Sequence, residues 1–327
     1  MDISPETWEF IGRYLGAGFA LGLGGIGAAV GMGIAAGQAA QGIMRQPSCQ
    51  GSMLRTMLIG QAVGGSPSIF ALVIGLLILL VKMPFAGPAL AAVAVGAGLS
   101  IGLGCFGSGL GCGWPAGAAC DGLARNPRHG GKMTQLMIIG QAVGQTPSVF
   151  ATVVALILLF VPGPLKIHTG WAIAGVAIGA GVAMGAGALG SGIGSGFTAG
   201  GAVRGVGCWP RSYGPALRTM LIGQAVGQTP AIFGMLVAFI ILFAVGGRAA
   251  GVVGFARTLG AGLAVGFGGV GPGFGCGQAG DSAAEWTARR PRSGALLLRT
   301  MLIGQAVAQS TAIYALIIAL ALLYVVR

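Results

Sequence analysis

Residues 299–327 read RTMLIGQAVAQSTAIYALIIALALLYVVR, an apolar segment that keeps a Gln-Ser pair at its middle. The pattern has already occurred three times upstream. It appears as RTMLIGQAVGGSPSIFALVIGLLILLV at 55–81, TQLMIIGQAVGQTPSVFATVVALILLFV at 134–161 and RTMLIGQAVGQTPAIFGMLVAFIILFAV at 218–245. The glutamine of the Gly-Gln-Ala-Val core falls at Gln61, Gln141, Gln224 and Gln305, at intervals of 80, 83 and 81 residues. Fixed-period self-similarity of this kind marks a repeat architecture.

Each repeat opens with a glycine- and alanine-rich segment, such as GAGFALGLGGIGAAVGMGIAAGQAAQGI or GAGVAMGAGALGSGIGSGFTAGGAV, and a short polar stretch joins it to the aliphatic half. Both halves exceed the ~20 apolar residues that cross a bilayer core. The expected fold is therefore an all-α membrane protein of four tandem transmembrane helical hairpins, eight helices in all. The hairpins are expected at 1–82, 83–162, 163–247 and 248–327.

Composition agrees. Only 7% of residues are charged and 55% are hydrophobic, against about 25% charged in soluble domains. The net charge of +12 does not indicate nucleic-acid binding, because the basic residues sit in short loops rather than on a face interleaved with aromatics. Six cysteines, Cys49, Cys105, Cys112, Cys120, Cys208 and Cys276, form no C-x-x-C pair. Several lie in glycine-rich apolar segments, where Cys packs as a small hydrophobe. Trp8, Trp114, Trp171 and Trp286 read as interfacial anchors or ring-packing residues, and His129 and His168 as loop residues. No cleavable signal peptide is expected at the acidic start, MDISPETWEF.

Basic residues orient the hairpins. The turns and their flanks hold 12 of the 18, among them Arg45, Arg55, Arg125, Arg128, Lys132, Arg211, Arg289 and Arg299. The links and ends hold Arg13, Lys82, Lys166, Arg248, Arg257 and Arg327. The positive-inside tendency then puts the turns in the cytoplasm and both termini outside. The glycine runs repeat G-x-x-x-G-like spacing, which lets helix backbones approach closely. An inner layer of bare helices covered by an outer layer of aliphatic ones is expected, and ring closure is the cheapest ending for stacked hairpins.

Taken together, these motifs resemble the c subunit (proteolipid) of F-type rotary ATP synthases, in four fused copies covering essentially the whole chain. The resemblance rests on the glycine-rich first helix, the turns RQP at 45–47 and RNP at 125–127, and a second helix of the form GQAVAQSTAIYALIIALALLY. That helix is closer to sodium-binding F-type members than to the fused V-type proteolipids. The resemblance implies an arc of a two-layer c-ring and a non-catalytic membrane subunit. It implies as partners further copies of the chain or other c subunits, the stator a subunit, the central stalk and lipids.

It also implies a site. In the family a mid-membrane carboxylate that carries H⁺ or Na⁺ follows G-Q-A-V-x; here that position holds Gly65, Gln145, Gln228 and Gln309. The next residue, a hydroxyl donor in sodium-type members, is Ser66, Thr146, Thr229 or Ser310, and the family's tyrosine survives only as Tyr314. The facing first-helix position, 29 residues before the Gly-Gln-Ala-Val glutamine, is Met32, Cys112, Ser195 or Cys276. Glutamine has no proton to titrate in this range. Without the anion, any Na⁺ or H⁺ held at a Gln-Thr pair keeps its full charge in an apolar setting, so binding is expected to be weak and no cofactor is expected. Translocation by this chain is correspondingly in doubt. The alternatives are a non-translocating structural ring or a V-type-like scaffold.

No other acid takes the carboxylate's place. The six are Asp2, Glu6, Glu9, Asp121, Asp281 and Glu285; the first three read to the outer end and the others toward the turns. Interhelical hydrogen bonding is the plainer role for the glutamines. Pro67, Pro147 and Pro230, two residues beyond the site, are expected to free a backbone carbonyl and bend the outer helix.

Overall fold

A computed structural model of the chain describes residues 4–161, 165, 171–245 and 251–325. The inter-hairpin residues Lys166, His168 and Arg248, and the end residues Asp2 and Arg327, lie outside the described residues. Eight helical segments are long and apolar enough to cross a membrane. The glycine-rich helices are α1 (Pro5–Arg45), α3 (Gly87–Arg125), α6 (Trp171–Cys208) and α9 (Gly251–Arg289). The aliphatic ones are α2 (Gln50–Leu80), α4 with α5 (Gly130–Gly144, Thr146–Phe160), α7 with α8 (Tyr213–Gly227, Thr229–Phe239) and α10 (Gly294–Tyr324). Each pair is joined by a single 3-10 turn that begins at a proline: Pro47–Cys49, Pro127–His129, Pro210–Ser212 and Pro291–Ser293. Proline suits a first helical position because it has no N–H to leave unsatisfied.

The glycine helices pack in a row, α1 on α3, α3 on α6 and α6 on α9. The aliphatic helices lie over the grooves between them, so α4 and α5 touch both α3 and α6. The row is as tight as the absence of side chains allows. A Cβ placed at Gly113 would lie 2.6 Å from the Cα of Gly31, and one at Gly192 would lie 2.5 Å from the backbone nitrogen of Ser108. On the outer face Leu58, Ile69, Val73, Val153, Leu236 and Ile317 stand exposed, as side chains facing lipid do. The chain is an integral, multi-pass membrane protein of four tandem hairpins.

The ends of the hairpins are closed by charge. Gly87 opens α3 with φ of 57° and donates its N–H to Oε1 of Glu9 at 3.0 Å, an anion at a helix N-terminus. Nη1 of Arg13 donates to the carbonyls of Ile78, Leu79 and Val81 at 3.0, 3.1 and 3.0 Å, capping α2. Arg257 does the same for α10, through Leu322 and Leu323 at 3.0 and 2.9 Å. The two inner hairpins carry buried Val93 and Val176 at this register, 48 residues before their Gly-Gln-Ala-Val glutamine.

Candidate functional site

The polar residues of the aliphatic helices meet at mid-span in two tiers. In the first, each Gly-Gln-Ala-Val glutamine reaches back to its own glycine helix. Nε2 of Gln61, Gln141, Gln224 and Gln305 donates to the carbonyls of Met32, Cys112, Ser195 and Cys276 at 3.0, 2.9, 3.1 and 2.9 Å. The 29-residue interval seen in the sequence is therefore a hydrogen bond, made to the backbone rather than to the side chain. The amides of Gln141, Gln224 and Gln305 also donate to Gly60, Gly140 and Gly223 of the preceding aliphatic helix, at 3.0, 2.9 and 3.1 Å. One side chain thereby joins three helices. The Oε1 atoms of these three glutamines are buried without a protein partner.

The second tier is one helical turn on. Nε2 of Gln145, Gln228 and Gln309 donates to the carbonyls of Val63, Val143 and Val226 at 2.7, 2.8 and 2.7 Å, each on the preceding hairpin. These carbonyls are available because Pro67, Pro147 and Pro230 stand four residues after them and lack the N–H that would continue the helical ladder. The helix is interrupted at Gln145 and at Gln228, whereas α2 runs unbroken through Pro67.

The hydroxyls complete the tier. Oγ1 of Thr146 donates to Val143 at 2.9 Å and that of Thr229 to Val226 at 2.8 Å. Oγ of Ser310 donates to Val307 at 2.8 Å and that of Ser66 to Ala62 at 3.5 Å. The Gln-Thr pair of one repeat is thus not joined to itself. Thr146 meets Gln228 of the next hairpin, through the shared Val143 oxygen. Of the facing positions, the Cys112 and Cys276 sulfurs lie 3.7 and 3.6 Å from the amides of Gln145 and Gln309. Ser195 Oγ is buried without a partner, and the thioether of Met32 lies beside Gly65. Tyr314 is exposed on the outer surface. The valine and glycine carbonyls were missed from the sequence, yet a proline four residues after each valine was a readable signal.

Asp121, Asp281 and Glu285 lie toward the turns and are paired. Asp121 takes Arg45 and Arg125, each at 2.8 Å. Asp281 takes Arg204 at 2.5 Å, and Glu285 takes Arg204 and Arg289 at 3.3 and 2.5 Å. Asp281 is five residues beyond Cys276, about 7.5 Å along the helix toward the turn, and its partner is a cation of the neighbouring helix. Arg289 lies 4.6 Å over the ring of Trp286 and 5.0 Å over that of Trp209. Among the described residues no three His, Cys, Asp or Glu side chains are grouped as a metal would need. Chemically, the mid-span tiers are amide donors facing carbonyl acceptors. They can fasten hairpins together, and among the described residues they hold no carboxylate.

Comparison with known proteins assigns all four repeats alike. The model of the family described as the ATP synthase c subunit matches residues 15–78, 95–158, 178–241 and 259–322. The ATP synthase c subunit of Alkaliphilus oremlandii is 53% identical over 72 residues, which is 22% of this chain and 81% of that protein. That of Natranaerobius thermophilus is 49% identical over 72 residues, 22% of this chain and 83% of that protein. The A-type ATP synthase subunit K of Methanocaldococcus jannaschii is 31% identical over 234 residues, 72% of this chain and 96% of that protein.

Proposed function

The chain belongs to the family of ATP synthase c subunits as four fused repeats, and from that premise we propose that it is a non-catalytic rotor-ring subunit whose own ion sites are closed. The units proposed are 1–82, 83–162, 163–247 and 248–327, each one hairpin of the ring. The turns, which carry most of the arginines, face the cytoplasm and a central stalk, and the outer helices run past a stator subunit. The F-type reading rests on the sodium-type form of the second helix.

One observation carries the proposal of closed sites. At Gln145, Gln228 and Gln309 an amide N–H already occupies the valine carbonyl of the preceding hairpin at 2.7–2.8 Å. The positive end of a neutral amide sits where a mobile cation would otherwise need an anion to accompany it. An ionised carboxylate at mid-membrane costs at least ~2.5–3.5 kcal/mol, and its neutralisation by an ion gives a ring its coupling. An amide has no such cycle. Coupling by this chain then depends on carboxylates supplied by other c subunits, or is absent.

The test is a hydrophobic carbodiimide, which modifies protonated carboxyls inside lipid, applied to the purified protein. No residue within a span should react, and proteoliposomes containing it with the stator and stalk subunits but no other c subunit should pass neither H⁺ nor Na⁺. Modification at mid-span, or ion flux from a ring holding no other c subunit, refutes the closed-site reading.

A further inference from the structure

The two ends of the chain are complementary halves of the joint that it makes three times internally. On α1, Gly18, Gly22, Gly33 and Gly37 have no atom within 4 Å of an added Cβ. They stand 43, 39, 28 and 24 residues before Gln61, as Gly98, Gly102, Gly113 and Gly117 stand before Gln141. In α3 those four glycines face α1, at Gly16, Phe19, Gly31 and Gln38. On α9, Gly260, Gly271 and Gly275 touch no other hairpin, although Gly179, Gly190 and Gly194 at the same register of α6 lie against the α9 backbone. About a third of the most apolar stretch of α1 and of α9 is buried (33% each), against 72% for α3 and 78% for α6. In α10, which packs against the glycine helix α9, the figure is 17%.

The polar tiers are open at the same two places. Gln61 makes the bond to its own helix but, among the described residues, not the second one that Gln141, Gln224 and Gln305 make to a neighbouring hairpin. The matching acceptor, the Gly304 carbonyl, lies on an exposed residue of the last hairpin. The second tier is missing from both ends together. The first repeat has Gly65 where the others have a donor amide, and Met32 beside it where they have Cys or Ser. The last repeat has Thr311 where the others have the proline that frees the acceptor. Val307, the residue equivalent to Val63, Val143 and Val226, accordingly stays in an unbroken helix and takes the Ser310 hydroxyl. A donor lost on one face and an acceptor lost on the other fit a joint in which these two faces meet.

We propose that hairpin 4 of one copy docks on hairpin 1 of a second copy in the register of the internal joints, forming a seam that keeps the Gln61–Gly304 bond and lacks the glutamine–valine one. The seam rests on the reading of the chain as a ring subunit and names the neighbour: another copy of this chain, rather than a single-hairpin c subunit. The missing crossing makes the seam the joint that opens first.

The experiment uses the full chain with Cys49→Ser and Cys208→Ser to remove the partly exposed thiols. Thr56 and Thr134 face each other across the first internal joint at 3.3 Å. Thr300 and Leu54 stand at the same registers, five and seven residues before their glutamines. Chains carrying Leu54→Cys under one tag and Thr300→Cys under another, co-expressed and oxidised in the membrane, should give a covalent dimer bearing both tags. Absence of that dimer, or a cross-link to another polypeptide, overturns the seam. Co-purification of the other ATP synthase subunits, scored on the same sample, reports separately on the ring-subunit reading. Installing both halves of the missing crossing, Gly65→Gln with Met32→Cys together with Thr311→Pro, should slow dissociation of the oligomer in detergent by about threefold, the size of an average interhelical hydrogen bond in a membrane protein. Each half alone should not. Equal effects from the halves singly, or none from the combination, show that the two faces do not meet.

Discussion

Nε2 of Gln228 lies 2.8 Å from the carbonyl oxygen of Val143, a helical carbonyl left without its usual N–H because Pro147 stands four residues on. Proline and glutamine belong to different hairpins and act as one device. The first exposes an acceptor inside the membrane and the second fills it. An unfilled carbonyl there would carry the cost of a buried polar group without a partner.

That pairing predicts non-additivity. Gln228→Leu removes the interhelical donor, leaving the carbonyl only the Thr146 hydroxyl of its own helix, and should destabilise the fold by roughly 0.6–1.7 kcal/mol, from the average to the largest interhelical hydrogen bond in a membrane protein. In a Pro147→Ala background the backbone N–H restored by the alanine returns to the Val143 carbonyl, so the same leucine substitution should cost much less. Unfolding in mixed micelles of the two single variants and the double variant measures the difference. Equal costs in both backgrounds would show that the proline does not supply the acceptor.

Gln224 joins three helices through one amide, to Ser195 and Gly140. Gln224→Glu, a neutral carboxyl in this fully buried position, keeps one O–H donor and serves one carbonyl where the amide serves two. The expected loss is smaller than that of Gln224→Leu, which removes both bonds. Parallel unfolding curves for the two variants decide this, and a better-tolerated leucine would contradict the geometry.

The glycine row predicts a contrast between equivalent positions. Gly113→Ala places a Cβ 2.6 Å from the Gly31 backbone and should cost about 1–3 kcal/mol by overpacking. Gly33→Ala, at the same register on the open face of α1, meets nothing within 4 Å in the single chain. It should leave the isolated chain as stable or stabilise it by up to about 1 kcal/mol through helix propensity. Thermal unfolding of detergent-solubilised single chains compares them.

Arg13 caps the end of α2 through three carbonyls. Arg13→Val, copying the residue found at this register in the two inner hairpins, should release the last turn of α2. Amide exchange at Leu79 and Leu80 should rise by about two- to fivefold, corresponding to the 0.3–1 kcal/mol of a cation at a helix C-terminus. Exchange at mid-span should not change.

The hairpins, their number and their inner and outer helices were legible because they rest on composition and period. Twenty apolar residues cross a bilayer whatever their neighbours are, and glycine at fixed spacing has few other uses. The 29-residue interval was legible for the same reason, since it measures the distance down one helix and back up the next. What the residues at those positions bond to was not legible. Gln145 lies beside Thr146 in the chain, but its amide goes to Val63, 82 residues away.

The sequence by itself determined the repeat, the membrane-crossing helices, the glycine layer and the absence of an acid at the middle of any repeat. Only the tertiary structure decided that the glutamines of the second, third and fourth repeats fasten each hairpin to the one before it, and on which carbonyl. That choice depends on the stagger between neighbouring hairpins. The stagger is set by how closely bare backbones approach, a property of two helices in contact that neither helix carries in its own sequence.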